Sequence, residues 1–70
     1  MNIEIKTLEN TTNKLIHAAA SEMTPKRKVL LSIELHRTAN RWVQAYQAGH
    51  CNWTTAKAKT VTLDEIILDI

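Results

Sequence analysis

The sequence predicts a mainly α protein: an antiparallel two-helix hairpin with a short N-terminal strand or arm and a short C-terminal helix or strand. Apolar residues recur every three or four positions in two segments, one on each side of Thr24 and Pro25. Proline suits the first position of a helix and opposes the helical conformation in the residue before it. Gly49 stands where the second helix needs a left-handed C-terminal cap.

The 70 residues are expected to form a single domain, with a strand or arm over 1–9, the hairpin over 10–48 and a C-terminal segment over 49–70. A chain of this size buries only about 60% of its unfolded surface. One cysteine cannot form an internal disulfide. We therefore expect self-association, as a homodimer or higher oligomer, to complete the core.

The overall charge and the hydropathy pattern limit the classes of partner that we expect. A formal net charge of +2 is too balanced to indicate a nucleic-acid partner. No apolar run reaches the roughly 18 residues that a membrane span needs, and no signal peptide opens the chain. We therefore expect a cytoplasmic protein without membrane contact.

The two ends of the chain are the least determined. In MNIEIKTL, Ile3 and Ile5 alternate with polar residues, which predicts a short strand or an extended arm. The first helix is then expected over 12–23, capped by one of the polar residues at 10–12. Residues 56–63 also alternate, which fits an edge strand or a tail. Thr62 and Glu65 have the spacing of a capping box, which favours a short terminal helix, and a strand over 66–70 remains the alternative.

The second helix, from Pro25 to about Ala48, has an apolar stripe on one face. With about 100° of rotation per residue, the stripe contains Leu31, Leu35, Ala39, Trp42, Val43 and Tyr46, and Val29 and Ile33 extend it. The stripe is longer than the first helix can cover. We therefore predict an interface between chains through Leu31, Leu35, Ala39, Trp42 and Tyr46.

The basic residues of the second helix are the candidate binding residues. Arg37 and Arg41 lie four positions apart on the face opposite the stripe. Arg27 and Lys28 belong to a basic run at the helix N-terminus, where cations oppose the helix dipole. Either the acidic C-terminus or a phosphate would offset that run, and a solvated helix face is the alternative. Trp53 would serve either as a lid over the core or as an exposed stacking or interface residue.

No constellation of catalytic residues or metal ligands is present in the sequence. It has no P-loop, no GxGxxG and no helical HExxH motif. The histidines are scattered, and His50 and Cys51 are the only adjacent pair of metal-capable side chains, which is too few for a site. The sequence therefore predicts a protein that is not an enzyme and that carries no cofactor or metal.

Residues 25–45 resemble the second helix of a known family. The segment PKRKVLLSIELHRTANRWVQA is similar, in gapless register, to that helix in small phage hairpin proteins that sequester cyclic nucleotide signals. The chain departs from the family pattern at positions 34 and 36–38 and from His50 onward. The matching positions are Pro25, Arg27, Leu31, Ile33, Ala39, Trp42 and Ala45.

This resemblance implies a homo-oligomeric anti-defence protein that binds cyclic di- or oligonucleotides and shields a phage from antiphage signalling. Its phosphate contacts would fall to Arg27 and Lys28, by position. Two other classes compete. One is a phage or mobile-element inhibitor or adaptor that binds a host protein, for instance at an acidic surface of that protein. The other is a ribbon-helix-helix DNA-binding regulator, in which the N-terminal strand would enter the major groove.

Overall fold

The computed structural model describes residues 4–70, and over that range the chain forms three helices: α1 (Ile5–Ala19), α2 (Pro25–Gln47) and α3 (Trp53–Asp69). No strand occurs in the described part of the chain, so the mainly α fold class is confirmed. Each helix contacts the other two, and the most extensive contact joins α2 and α3. The chain therefore packs as three helices around one core.

The beginning of the chain is helical where a strand or arm was expected. Glu4 is the N-cap and α1 starts at Ile5, so the strand prediction is wrong for residues 5–8, and residues 1–3 lie outside the described range. The alternation in this short stretch was misleading, because Ile5, Leu8 and Thr12 also lie three and four positions apart. Leu8 and Thr12 are the buried residues of α1, and the helix ends at Ala19 rather than Met23.

The boundaries of α2 agree with the sequence prediction. The Thr24 hydroxyl accepts a hydrogen bond from the Arg27 backbone N–H at 3.3 Å, and Pro25 occupies the first helical position. At the other end Gly49 has φ 82°, the left-handed conformation that glycine adopts without strain. The His50 N–H donates to the Ala45 carbonyl at 2.9 Å, which completes a Schellman cap.

The C-terminal segment is a longer helix than either alternative allowed. The Asn52 side chain accepts from the Thr55 N–H at 2.8 Å and caps α3, which begins at Trp53. The edge strand or tail predicted over 56–63 is therefore wrong, as is a helix start at Thr62, which lies within α3. Alanine and lysine, which alternate at 56–59, are both good helix formers, so that alternation had no bearing on strand structure.

Because α3 is long, it changes the role of the apolar stripe on α2. Leu35 and Trp42 are fully buried, and Leu31 and Ala39 are nearly so, within one chain whose core also includes Leu63 of α3. The predicted interface through those four α2 residues is therefore wrong, since α1 and α3 cover them. Tyr46, the fifth, is 41% exposed.

Val29 and Ile33 do not extend the buried stripe. Both are exposed, as is Leu30 beside them. Val29 and Ile33 lie four positions apart on one outer side of the first half of α2, and Leu30 lines a groove beside α1. The buried face of α2 is centred instead on Leu35 and Trp42.

A buried hydrogen-bond chain joins α1 to α2. The Trp42 indole N–H donates to the Thr12 hydroxyl oxygen at 2.9 Å, and the Thr12 hydroxyl donates to the Leu8 carbonyl at 2.7 Å. Thr12 and Trp42 are both fully buried. Thr12 is thus the polar partner that allows an indole N–H to lie inside the core without an unpaired donor.

We expect Thr12→Val to lower the free energy of unfolding by about 1–3 kcal/mol, because it leaves the buried Trp42 N–H without an acceptor. Thr38→Val is the matched control. Thr38 is also buried, but its hydroxyl donates only to the Glu34 carbonyl four residues back, so its loss strands no donor. Urea denaturation of the two variants measures the difference, and equal losses would show that the indole bond contributes nothing.

Candidate functional site

Arg37 and Arg41 lie together on the outer side of α2. With Asn40 and Gln44 they line one shallow, open cleft, and all four side chains are exposed. Successive turns of one helix present them, since the arginines are four positions apart, a rise of about 6 Å. We call these four residues the α2 basic face.

The two guanidinium groups of this face differ in their partners. Arg37 Nη1 lies 3.4 Å from Glu34 Oε1, and the two side chains are 70% and 53% exposed. An ion pair so exposed contributes only a few tenths of a kcal/mol. Among residues 4–70 this is the single ion pair, so Arg41 has no carboxylate partner there. A bound anion would therefore have to displace only the weak ion pair between Arg37 and Glu34.

The chemistry of the α2 basic face is that of hydrogen-bond donation to an anion. A guanidinium group donates two parallel hydrogen bonds to a phosphate or carboxylate and stays charged at any physiological pH. The side-chain amides of Asn40 and Gln44 each add donors and one acceptor. The arrangement of these donors is therefore suited to binding an anion.

The other predicted binding residues of α2 are not part of this face. Arg27 lines a separate groove with Met23, Leu30 and Glu34, beside α1. It precedes Arg37 by ten residues, a rise of about 15 Å along the helix. Lys28 lies in a third groove, with Glu22 and residues of the C-terminal end of α3.

The basic run at the start of α2, which includes Lys28, lies near the acidic end of α3. Asp69 and Ile70 line the same groove as Lys28, so the acidic end of α3 approaches the α2 N-terminus. The carboxylate of Asp69 is not within ion-pair distance of Lys28. A carboxylate near a helix N-terminus partly offsets the unfavourable cations there. Lys28 thus has an acidic neighbour within the chain.

Trp53 lies at the start of α3, away from the α2 basic face. Its ring contacts Tyr46, with the centroids 5.1 Å apart and the planes tilted by 57°. The side chain is 52% exposed and, with Thr54, Lys57 and Val61, lines a depression on α3. This exposure fits the stacking or interface role and not the lid over the core.

Of the α2 basic face, the sequence analysis missed Asn40, and it placed Gln44 on the side of the arginines without counting it among the binding residues. Asn40 and Gln44 are three residues beyond Arg37 and Arg41, respectively, and that spacing places them on the same side of a helix. The helical rotation that grouped Gln44 with the arginines would also have found Asn40. Within residues 4–70 no three histidine, cysteine or acidic side chains are grouped so as to hold a metal ion.

None of the three helices over 4–70 combines the length and the apolar character needed to cross a membrane. Comparison with known proteins finds no family model, no curated protein and no solved structure that matches the chain. The resemblance to phage hairpin proteins therefore depends on the residues of α2 alone.

Proposed function

We propose that this chain is a non-enzymatic binding protein that captures an anionic partner on the α2 basic face. One observation supports this most directly: Arg37, Asn40, Arg41 and Gln44 line one cleft, and a single weak ion pair engages them. Two like charges one helical turn apart destabilise a helix slightly. A bound anion between them removes that repulsion.

The first candidate partner is a cyclic nucleotide signal, which the protein would sequester as a cytoplasmic phage anti-defence protein. Its phosphates would accept from Arg37 and Arg41, and the amides of Asn40 and Gln44 would meet the polar edges of the bases. Residues 25–45 support this candidate through their resemblance to the second helix of the phage hairpin proteins. The connection over 20–24 and the Thr12–Trp42 bond support an antiparallel pairing of α1 and α2 as in such a hairpin.

Self-association is part of this proposal. Small-molecule sites usually bury most of the ligand in a concave pocket, and the cleft on α2 is open and shallow. A second copy of the chain would supply the missing wall. In this arrangement Arg27 and Lys28, which lie in other grooves, contact the ligand only if another chain brings them to it.

The second candidate is an inhibitor or adaptor that binds an acidic protein surface. It is favoured by Val29 and Ile33, which are exposed on the same outer side of α2 as Arg37 and Asn40. Apolar contacts beside arginines are typical of a protein interface. The DNA-binding alternative is not carried forward, because its ribbon would need a strand where residues 5–8 are helical.

The double substitution Arg37→Gln and Arg41→Gln tests the α2 basic face. We expect at least roughly 100-fold weaker binding, since each charge-assisted hydrogen bond contributes about 1.5–3 kcal/mol. The melting temperature should not fall, because both side chains are exposed. Isothermal titration with a panel of cyclic di- and trinucleotides measures the first candidate directly.

Lys6→Gln with Lys14→Gln is the control, because it removes the same charge from exposed positions of α1. It should bind like the wild type. If the wild type binds no cyclic nucleotide, the first candidate is overturned. If both double variants lose binding equally, net charge and not the α2 basic face is responsible.

A further inference from the structure

The outer side of α3 has large apolar side chains that are about half or more exposed to solvent. Trp53, Val61 and Leu68 are 52%, 46% and 86% exposed. With Lys57 and Asp64 they are spaced by four, four, three and four residues, so they follow one side of the helix. We call these five residues the α3 seam. Ala56 and Leu63, which are buried, lie on a different side of α3.

The α3 seam has the dimensions of a helix-packing surface. From Trp53 to Leu68 it extends over about 22 Å of helix, roughly four turns. Its large apolar side chains recur at eight- and seven-residue spacing with Lys57 and Asp64 midway, so they keep to one side of α3, along which a second helix can pack. Tyr46 contacts Trp53 at one end and extends the apolar area beyond α3.

The order of charges along the seam identifies its occupant. Lys57 lies four residues before Val61, and Asp64 and Glu65 lie three and four residues after it. Two copies of α3 packed antiparallel with Val61 at the centre would bring Lys57 of each copy beside Asp64 and Glu65 of the other. A parallel pair would place Lys57 beside Lys57 and the acidic residues beside each other. The seam is thus self-complementary only in the antiparallel arrangement.

We propose that the α3 seam binds a second copy of this chain, forming a two-fold symmetric dimer in which the two α3 helices pack antiparallel about Val61. Trp53 of each copy packs near Leu68 of the other, at both ends of the contact. This dimer uses a surface other than the α2 basic face, so it leaves the cleft on α2 open. It does not depend on which anion binds to the α2 basic face.

Sedimentation velocity over a range of concentrations tests this dimer. We expect a concentration-dependent rise from the monomer to the dimer coefficient for the wild type. Val61→Glu should remain at the monomer coefficient throughout, because it places two like charges at the two-fold axis. Val29→Glu is the matched control, an exposed valine on α2 changed in the same way, and it should sediment like the wild type.

A charge exchange separates the interface from any effect on folding. Lys57→Glu alone should give a monomer, since it faces the acidic pair with a third carboxylate. Adding Asp64→Lys and Glu65→Lys reverses every charge and should restore the dimer. A monomeric wild type, a dimeric Val61→Glu or a failure of the triple variant to reassociate would overturn the proposal. Ligand titration of the same Val61→Glu protein tests the α2 basic face independently.

Discussion

Replacing Trp42 with alanine is expected to lower the free energy of unfolding by about 3–5 kcal/mol, the largest effect of any single substitution considered for this chain. Small domains have a total stability of roughly 5–15 kcal/mol. A chain of 70 residues falls near the lower end of that range. The variant should therefore be unfolded for the most part, or unfold well below the midpoint temperature of the wild type.

Three observations make Trp42 the centre of the fold. Its side chain is fully buried among residues of all three helices. The indole N–H donates to Thr12 across the α1–α2 contact. Lys59 of α3 places its Nζ 5.9 Å from the centroid of the ring, a cation–π distance. Alanine would remove the contacts of this ring with both neighbouring helices and leave a cavity.

Urea denaturation followed by circular dichroism measures this loss. Trp42→Phe keeps an aromatic ring but has no N–H, so it should lose less than alanine. Trp53→Ala is the control for removing a tryptophan, because that ring is 52% exposed and contacts Tyr46. Its loss should be about 1 kcal/mol, the contribution of an aromatic pair. Equal losses for Trp42→Ala and Trp53→Ala would contradict the central position of Trp42.

The helices differ in how well the sequence predicted them, because their ends carry different signals. The limits of α2 follow from local chemistry: the cap of Thr24, the proline at the first position and the left-handed Gly49. The start of α1 has no such signal, since Glu4 makes no side-chain cap hydrogen bond. In so short a stretch, the same few apolar residues can fit both a two-residue alternation and a helical spacing.

The interface prediction failed for a reason that is not local. Leu31, Leu35, Ala39 and Trp42 of the predicted stripe are buried, but what covers them depends on the length of α3. Asn52 is a good N-cap residue three positions before Thr55, and that signal was present in the sequence. A helix from Trp53 onward would have been long enough to cover the stripe within one chain.

The predicted basic binding residues do not all lie on one face of α2, and helix geometry explains why. Lys28 and Arg37 are nine residues apart, which is two and a half turns, so they point to opposite sides of α2. Arg37 and Arg41 stay together because four residues are close to one turn. The basic residues of α2 were grouped in the sequence by charge. The rotation angle separates Lys28 from the arginines of the face, and a rise of about 15 Å along the helix separates Arg27.

Leu63→Ala should lower the free energy of unfolding by about 2–5 kcal/mol, because its fully buried side chain belongs to the core cluster. An extended or frayed C-terminal segment would leave Leu63 in water, where the same change has almost no cost. The substitution therefore tests whether α3 is an integral part of the fold.

Leu30→Ala is the matched control, since Leu30 is 56% exposed on α2 and lies outside both the α2 basic face and the α3 seam. It should lose well under 1 kcal/mol, as exposed substitutions usually do. Chemical denaturation of the two variants at one low protein concentration keeps self-association out of the comparison. Similar losses for the two leucines would mean that α3 does not pack on α2. The stripe through Leu35 and Trp42 would then need another chain to bury it.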